Sequence, residues 1–333
     1  MAAIAMFGAV VALAGGDAWV ALGTLGAAGT SSGYGLIETV VKAIPVLLCA
    51  LAVAIPARLG LLNIGGEGQL VAGAVGAACA ARVLTGLPPA MTLLSMGLAA
   101  GAFGAAWGAL PGTLRGAARS SEVVVGLLLN YVAGLSLLYL VHGPLRDSAS
   151  LGWPQGEALP AAARLPALWG TRIHMLLWVA LGVCIALKLI ERWTVAGMAS
   201  KAIRANPEFG LYLQLPVSVY YACAFGLAGA MAGLAGFGEL SGIQGRLREG
   251  LSLGYGYAGF FVAWLCGNEF AWLPVGALAF SAVITGADAL QVSAGLPFAT
   301  VYLLQGIVFL SVLAAPSLEG VLRRLPGWRQ NNC

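Results

Sequence analysis

Long apolar runs recur almost from end to end of this 333-residue chain, with only brief polar breaks between them. An α-helix needs about 20 mostly apolar residues to cross the hydrocarbon core of a bilayer. The chain is 60% hydrophobic and only 9% charged, a balance that the surface of a soluble protein does not tolerate. We therefore expect an all-α polytopic membrane bundle of about ten transmembrane helices, forming a single domain over residues 1–333.

The predicted spans follow the apolar runs. They lie near residues 2–14, 37–57, 68–85, 90–110, 122–141, 173–190, 216–236, 254–267, 273–290 and 298–315. We expect the first of them to be a short or incomplete span rather than a cleaved signal peptide, because no basic residue precedes it. The 48 glycines fit this architecture, since small residues let helices in lipid pack backbone to backbone.

The positive charge follows the breaks between the spans. The net charge of +4 does not indicate a nucleic-acid partner, because the 17 basic residues form no single patch. Eight of them fall in three breaks: near 111–121, in the loop at about 191–213, and in the tail 316–333. The positive-inside rule makes these segments cytoplasmic, which places both termini inside and the longest loop, about 142–172, on the outer side. That proline-rich outer loop is either a docking surface or a plain connector.

Several kinds of site are missing from the sequence. No Gly-x-x-x-x-Gly-Lys-Ser/Thr motif is present, so the chain does not cradle ATP phosphates itself. Its two histidines, His142 and His174, lack metal-ligand spacing, and the six cysteines include no Cys-x-x-Cys pair. We predict no catalytic site, metal or bound cofactor, and any ATP-driven work would need a separate ATPase.

The segment 63–69, Asn-Ile-Gly-Gly-Glu-Gly-Gln, lies between two apolar runs. Three glycines in four positions do not hold a regular helix, so we expect a broken or re-entrant backbone here. Asn63, Glu67 and Gln69 would either pair with the freed backbone groups or face a solute. A tight cytoplasmic turn is the alternative.

A second polar pattern begins at Glu122. The two serines before it make a plausible helix start, with the carboxylate at the positive end of the helix dipole. Asn130 lies eight residues further, about two turns, on the same face. An amide in the middle of a span should point into the bundle, where it contacts either another helix or the solute. Tyr131 follows it directly.

Two further segments complete the set. Residues 196–212, AGMASKAIRANPEFGLY, predict a short amphipathic helix ended by Asn206-Pro207, which is either a force-receiving element or an ordinary interfacial connector. The stretch 233–259 is polar around Gln244, consistent with an outer vestibule, and then glycine-rich around Tyr257. This second glycine-rich entry to a span resembles the one at 65–68, and paired interruptions point to the central site of a transporter.

These motifs resemble the inner-membrane permeases of the ABC family that imports branched-chain amino acids, ribose-type sugars and nucleosides. The resemblance rests on LLNIGGEGQLVAGA at 61–74, SSEVVVGLLLNYVA at 120–133, residues 196–212 and residues 227–267. The nucleoside and simple-sugar branch is the most similar. The chain departs from the family pattern at 207–215 and 268–274, which leaves the choice between a nucleoside and a sugar open.

The resemblance implies a prokaryotic inner-membrane importer that works by alternating access. Two permease subunits would form the pathway, cytoplasmic ATPases would bind ATP and Mg, and an outer binding protein or lipoprotein would deliver the solute. An ion-coupled secondary transporter is the rival class, with Glu67, Glu122 and Asp288 as its available carboxylates. The pathway residues expected are Asn63, Glu67, Gln69, Glu122, Asn130, Tyr131, Gln244 and Tyr257. The residues expected to couple to the ATPase are Gly197, Ser200, Lys201, Arg204, Asn206 and Pro207.

Overall fold

The structure, a computed structural model, describes residues 32–150 and 152–294, together with positions 23 and 306. The predicted spans near 2–14 and 298–315 and the tail 316–333 therefore lie outside the described residues. Among those described, residues 40–280 belong to one compact unit and residues 32–39 and 281–294 to a second. The contacts and the candidate site described below lie within residues 40–280.

The described part of the chain is built from α-helices. They are α1 (Gly33–Ala57), α2 (Gly66–Val83), α3 (Pro89–Ala118), α4 (Glu122–His142), α5 (Leu176–Trp193), α6 (Val195–Ala205), α7 (Pro207–Tyr212), α8 (Val217–Gly238), α9 (Tyr255–Leu265) and α10 (Leu273–Ala294). A π-helical turn, Glu239–Gln244, continues α8, and a 3₁₀ turn, Ala161–Ala163, lies between α4 and α5. Within the described ranges, four helices are long and apolar enough to cross a membrane: Gly33–Ala57, Pro89–Ala118, Glu122–His142 and Val217–Gln244. The protein is a multi-pass membrane protein.

Each predicted span between residues 37 and 290 coincides with one helix, but one prediction was wrong in kind. The run at 254–267 was expected to cross the membrane, whereas α9 covers only the 11 residues Tyr255–Leu265. At 1.5 Å per residue this helix is about 16 Å long, roughly half the hydrocarbon thickness. The two glycines at the ends of the predicted run, Gly254 and Gly267, have φ values of 79° and 60°, so the helix cannot extend past them.

Two faces of the bundle are defined by contacts between distant segments. At one end Arg82, in the last turn of α2, donates to the carbonyl of Pro144 over 2.8 Å, and Gly156 donates to the carbonyl of Leu247 over 2.7 Å. We call this end the loop face, since it carries residues 143–175. The opposite end, where α5 ends and α6 begins, is the α6 face. The two longest breaks between spans thus lie at opposite ends of α5.

The centre of the bundle is held by glycines on three helices. Gly104 and Gly108 of α3 face Gly229 and Gly233 of α8 so closely that a Cβ on Gly104 or Gly229 would overlap the other's carbonyl oxygen. We call these four residues the glycine seam. Gly73 brings α2 against the same place, where its Cβ would overlap the backbone of Gly233. The helices therefore pack by direct backbone contact, the arrangement that small residues permit in lipid.

Candidate functional site

The helix α2 begins inside the bundle rather than at its surface. After α1 the chain turns at Gly60, and residues 61–65 are non-helical before α2 starts at Gly66. Gly68 contacts Asn130, which lies eight residues into α4 and so about 12 Å from that helix's start. Since α4 has 21 residues and a length of about 31 Å, this contact is near mid-depth. The interruption predicted at 63–69 is present.

The helix α9 begins at the same depth from the opposite direction. The π-helical turn after α8 ends at Gln244 on the loop face, and residues 245–254 lead back to α9. Its Gly256 N–H donates to Oε2 of Glu67 over 2.7 Å. A Cβ on Gly66 would lie only 3.6 Å from Cα of Gly256. The N-termini of α2 and α9 therefore meet at mid-depth, which pairs the two glycine-rich entries noted in the sequence.

Two amides hold the turn that precedes α2. Nδ2 of Asn63 donates to Oε1 of Gln69 over 3.0 Å, and Nε2 of Gln69 returns a bond to Oδ1 of Asn63 over 3.1 Å. Asn63 also donates to the carbonyl of Ala52 and accepts from the N–H of Gly65, each over 3.0 Å. Both side chains are 1% exposed. Asn63 thus satisfies backbone groups that lipid cannot, as one of the two predicted roles required, while Gln69 bonds only to the side chain of Asn63 and holds it in place.

Asn130 fastens α4 to the same interruption. Its Oδ1 accepts from the N–H of Gly68 over 2.8 Å, and its Nδ2 donates to the carbonyl of Ile64 over 2.9 Å. A side chain on Gly68 would sit only 3.0 Å from Asn130. The amide thus points into the bundle, as predicted, and bridges both sides of the chain break.

Two tyrosines remain accessible beside these buried amides. Tyr131 is 73% exposed, and Tyr257 on α9 is 39% exposed. The Tyr257 hydroxyl lies within hydrogen-bonding reach of the Asn130 side chain, and Glu67 and Tyr131 are close enough to act on it electrostatically. We call residues 63–69 and 254–257 the broken-helix pair. Aromatic side chains are accessible at this pair, whereas the neighbouring amides are occupied by hydrogen bonds within the protein.

The structure places two other predicted pathway residues away from mid-depth. Glu122 is the first residue of α4 and pairs with Arg115, with 3.5 Å between Oε2 and Nε. Gln244 lies at the loop face, where it donates to Glu239 over 3.1 Å and to the carbonyl of Leu251 over 2.7 Å. These two side chains are at opposite ends of the bundle, so they do not join the mid-depth group.

The amphipathic segment at 196–212 forms a helix where expected. The helix α6 ends at Ala205, and Oδ1 of Asn206 caps α7 by accepting from the N–H of Glu208 over 2.9 Å. Ile203 is completely buried in a cluster with residues of α8, whereas Lys201 and Arg204 are exposed. Among the other residues expected to couple, Gly197 is buried, Ser200 is half-buried and bonds to the carbonyl of Ala196, and Pro207 begins α7.

Sequence reasoning missed a group of charges on the α6 face. Arg58, Lys188, Glu191 and Glu269 meet there through ion pairs of 2.8–3.4 Å. The Lys188 ammonium, and then Arg58, hold the pKa of Glu269 below its usual range. The available signal was the rarity of charge: each of these residues stands at the edge of an apolar run. Within the described ranges, no group of three or more His, Cys, Asp or Glu side chains is arranged to hold a metal ion.

Two helices that begin inside an apolar bundle with their N-termini together, beside a short amphipathic helix at one face, are typical of a membrane transport protein. Residues 35–313 match the family described as the branched-chain amino acid transport system, permease component. The chain belongs to this family.

The relatives identified by sequence are permeases of ABC transporters. The glucose ABC transporter permease protein of Haloferax volcanii is 32% identical over 326 residues, which cover 95% of this chain and 85% of the relative. The guanosine ABC transporter permease protein of Bacillus subtilis is 29% identical over 304 residues, covering 88% and 84%. The nucleoside ABC transporter permease protein of Lactococcus lactis is 28% identical over 262 residues, covering 75% and 71%. The chain is thus an ABC importer permease subunit, a transport component rather than an enzyme.

Proposed function

We propose that this permease subunit forms, with a second permease subunit, the pathway for a nucleoside-like solute across the inner membrane of a prokaryote. The observation that carries the proposal is the exposed pair Tyr131 and Tyr257 beside the broken-helix pair at mid-depth. A nucleoside base stacks on an aromatic face, and phenolic hydroxyls bond to base edges or to ribose. The guanosine and nucleoside permeases among the relatives support this solute class.

A simple sugar is the second candidate. The relative with 32% identity is a glucose permease, and a sugar also packs on aromatic side chains. The departures at 207–215 and 268–274 favour neither solute. The two candidates differ in what they need from the tyrosines, since only a base gains from stacking across a full ring face.

We also propose the orientation and partners. The α6 face is cytoplasmic, with Lys201, Arg204 and Pro207 exposed there toward ATPase subunits that bind ATP and Mg. The loop face is outside, where a binding protein or lipoprotein delivers the solute. Both termini are cytoplasmic in a bundle of about ten helices, and the chain binds no cofactor itself. ATP binding shifts the permease pair between outward-open and inward-open packings.

Uptake into vesicles tests the proposal. The chain is reconstituted with candidate ATPase, second permease and binding-protein subunits from the same genome, and uptake of labelled guanosine, ribose and glucose is measured. ATP-dependent guanosine uptake is expected, blocked by excess unlabelled nucleoside but not by sugar. Sugar uptake without nucleoside uptake assigns the second candidate, and uptake driven by a proton or sodium gradient without the ATPase overturns the proposal.

A matched pair of variants tests the tyrosines. Tyr131→Leu is expected to lower guanosine uptake about tenfold at limiting solute, because one stacking face is lost. Tyr139, two turns further along α4 and 71% exposed, supplies the control. An equal loss of guanosine uptake in Tyr131→Leu and Tyr139→Leu would show that Tyr131 and Tyr257 do not line the pathway.

A further inference from the structure

Four charged side chains from three separate segments meet on the α6 face. Nη1 of Arg58 lies 3.0 Å from Oε1 of Glu191 and 3.3 Å from Oε1 of Glu269. Nζ of Lys188 lies 2.8 Å from Oε2 of Glu269 and 3.4 Å from Oε2 of Glu191. Each cation thus contacts both carboxylates. We call these four residues the charged junction.

The charged junction is more than a surface ion pair. The side chains of Arg58 and Glu191 are only 14% and 12% exposed, and those of Lys188 and Glu269 are 41% and 43% exposed. Nη2 of Arg58 also donates to the carbonyl of Asn268 over 2.7 Å, and its guanidinium lies 4.6 Å from the centre of the Phe270 ring. Partly buried pairs with several partners are less screened by salt than isolated exposed pairs, so this network can hold its segments together.

One side of the charged junction is fixed to α6. Thr194 alone separates α5 from α6, and its Oγ1 accepts from the N–H of Gly197 over 3.3 Å while donating to the carbonyl of Ile190 over 2.7 Å. A Cβ on Gly197 would overlap the backbone of Glu191. Because α6 packs this closely on the last turn of α5, it cannot be displaced without displacing Glu191.

The other side of the charged junction is fixed to α9. The turn after α9 is closed by bonds from the N–H of Asn268 to the carbonyl of Ala263 over 2.7 Å and from the N–H of Glu269 to the carbonyl of Cys266 over 3.1 Å. The opposite end of α9 is the one capped by Glu67. Since α9 is about 16 Å long, it reaches from the charged junction to the broken-helix pair.

We propose that the charged junction makes α6 and α9 move as one body, so that a displacement of α6 is delivered to the broken-helix pair where Glu67 and Tyr257 lie. Arg58, Lys188, Glu191 and Glu269 are then positioning residues, because they act on the solute through α9 and do not touch it. The proposal rests on the proposed function in one respect, that the force on α6 comes from an ATPase.

The first test measures solute taken up per ATP hydrolysed in the assembled transporter. Glu269→Gln and Lys188→Gln are each expected to lower this ratio about fivefold, while ATP hydrolysis continues, because α6 then moves without α9. The charge swap Lys188→Glu/Glu269→Lys is expected to recover most of the ratio. Glu157→Gln is the control, since Glu157 forms an exposed pair with Arg82 on the loop face at 3.9 Å. An unchanged ratio in Glu269→Gln overturns the proposal, as does a charge swap as defective as the single variants.

A second measurement does not depend on uptake. Spin labels at Met198 on α6 and at Leu265 on α9, which are 63% and 51% exposed, report the distance between the two helices. The wild-type protein is expected to give one narrow distance distribution, and Glu269→Gln a broad one. Distance distributions of equal width in the wild-type protein and in Glu269→Gln would overturn the proposal that the charged junction couples α6 to α9, even if uptake is normal. A narrow wild-type distribution with no ATP-driven uptake would support the junction and reject the proposed function.

Discussion

Glycine serves two different purposes in two regions of this molecule. In the glycine seam, Gly104 and Gly229 stand in continuous helices and remove side chains so that backbones touch. In the broken-helix pair, Gly65 and Gly66 stand where the helix is interrupted, and the surrounding polar groups come from amides. The glycine seam has no hydrogen-bonding side chains, whereas the broken-helix pair depends on such side chains to satisfy its backbone.

The difference shows what separates a packing glycine from a site glycine in a membrane protein. A helix in lipid satisfies its own backbone, so a packing glycine needs only a close neighbour. A chain break exposes N–H and C=O groups, so a site glycine needs amides or carboxylates nearby. The same residue type therefore has to be judged by the polar side chains beside it.

The largest effect is expected in the glycine seam. Gly229→Leu should prevent the folded state from accumulating, because backbone atoms of α3 occupy the space that the new side chain needs. The loss of stability should exceed that of ordinary overpacking in a core, which is about 3 kcal/mol. The yield of monodisperse protein in detergent measures this. Gly101→Leu, on the same α3, is the control, since its Cβ would meet nothing within 4 Å. Normal yield from Gly229→Leu would show that the seam is not packed as described.

The next effect concerns the amide that bridges the interruption. Asn130→Leu should lower the free energy of unfolding by about 3 kcal/mol, because the Gly68 N–H and the Ile64 carbonyl lose their partner. Unfolding in increasing SDS measures it. Tyr131→Leu, one residue further, should leave the stability within about 0.5 kcal/mol, since that side chain is 73% exposed. Stability losses of the same size in both variants would contradict the division between buried amides and accessible tyrosines.

A smaller effect is expected at His174, which lies just before α5 and packs against Gly242 at the loop face. Burial lowers the pKa of His174 from its ordinary value of 6.5 to about 4. In this pH range His174 binds a proton in the unfolded chain but not in the folded protein. The free energy of unfolding therefore falls as the pH drops from about 6.5 toward about 4. Between pH 7 and 5.5 the loss should be about 1 kcal/mol.

Melting temperatures across this pH range measure the effect of His174. His174→Leu should remove that part of the pH dependence, whereas His142→Leu, at an exposed position, should keep it. A slope that survives in His174→Leu would assign it to other groups.

The local patterns were predictable from the sequence. Three glycines in four positions predicted the interruption at 63–69. An amide in the middle of a span predicted that Asn130 points into the bundle. The end of α6 before Asn206-Pro207 followed from the capping side chain and from proline at the first position of the next helix. Each of these depends on neighbours within two turns.

The long-range pairings were not predictable from the sequence. Asn130 bonds to the N–H of Gly68 across 62 residues, and Arg58 bonds to Glu269 across 211. Hydropathy gives the depth of a residue but not its partner, so nothing in the sequence pairs the four charges of the charged junction. The length of α9 was missed because a hydropathy window does not show that Gly254 and Gly267 have positive φ and limit the helix at both ends.

The smallest effect sharpens the comparison at Glu67, which caps α9 by accepting from the Gly256 N–H. Glu67→Gln keeps an acceptor oxygen and loses only the charge that favours a helix N-terminus, so the stability loss should stay under about 1 kcal/mol. Glu67→Leu removes the acceptor as well and should cost about twice as much. SDS unfolding compares the two variants.

In uptake assays Glu67→Gln should retain most ATP-driven transport, because the carboxylate positions a half-helix and carries no ion. Complete loss of transport in a stable Glu67→Gln protein would instead indicate that the carboxylate carries an ion, as an ion-coupled transporter requires.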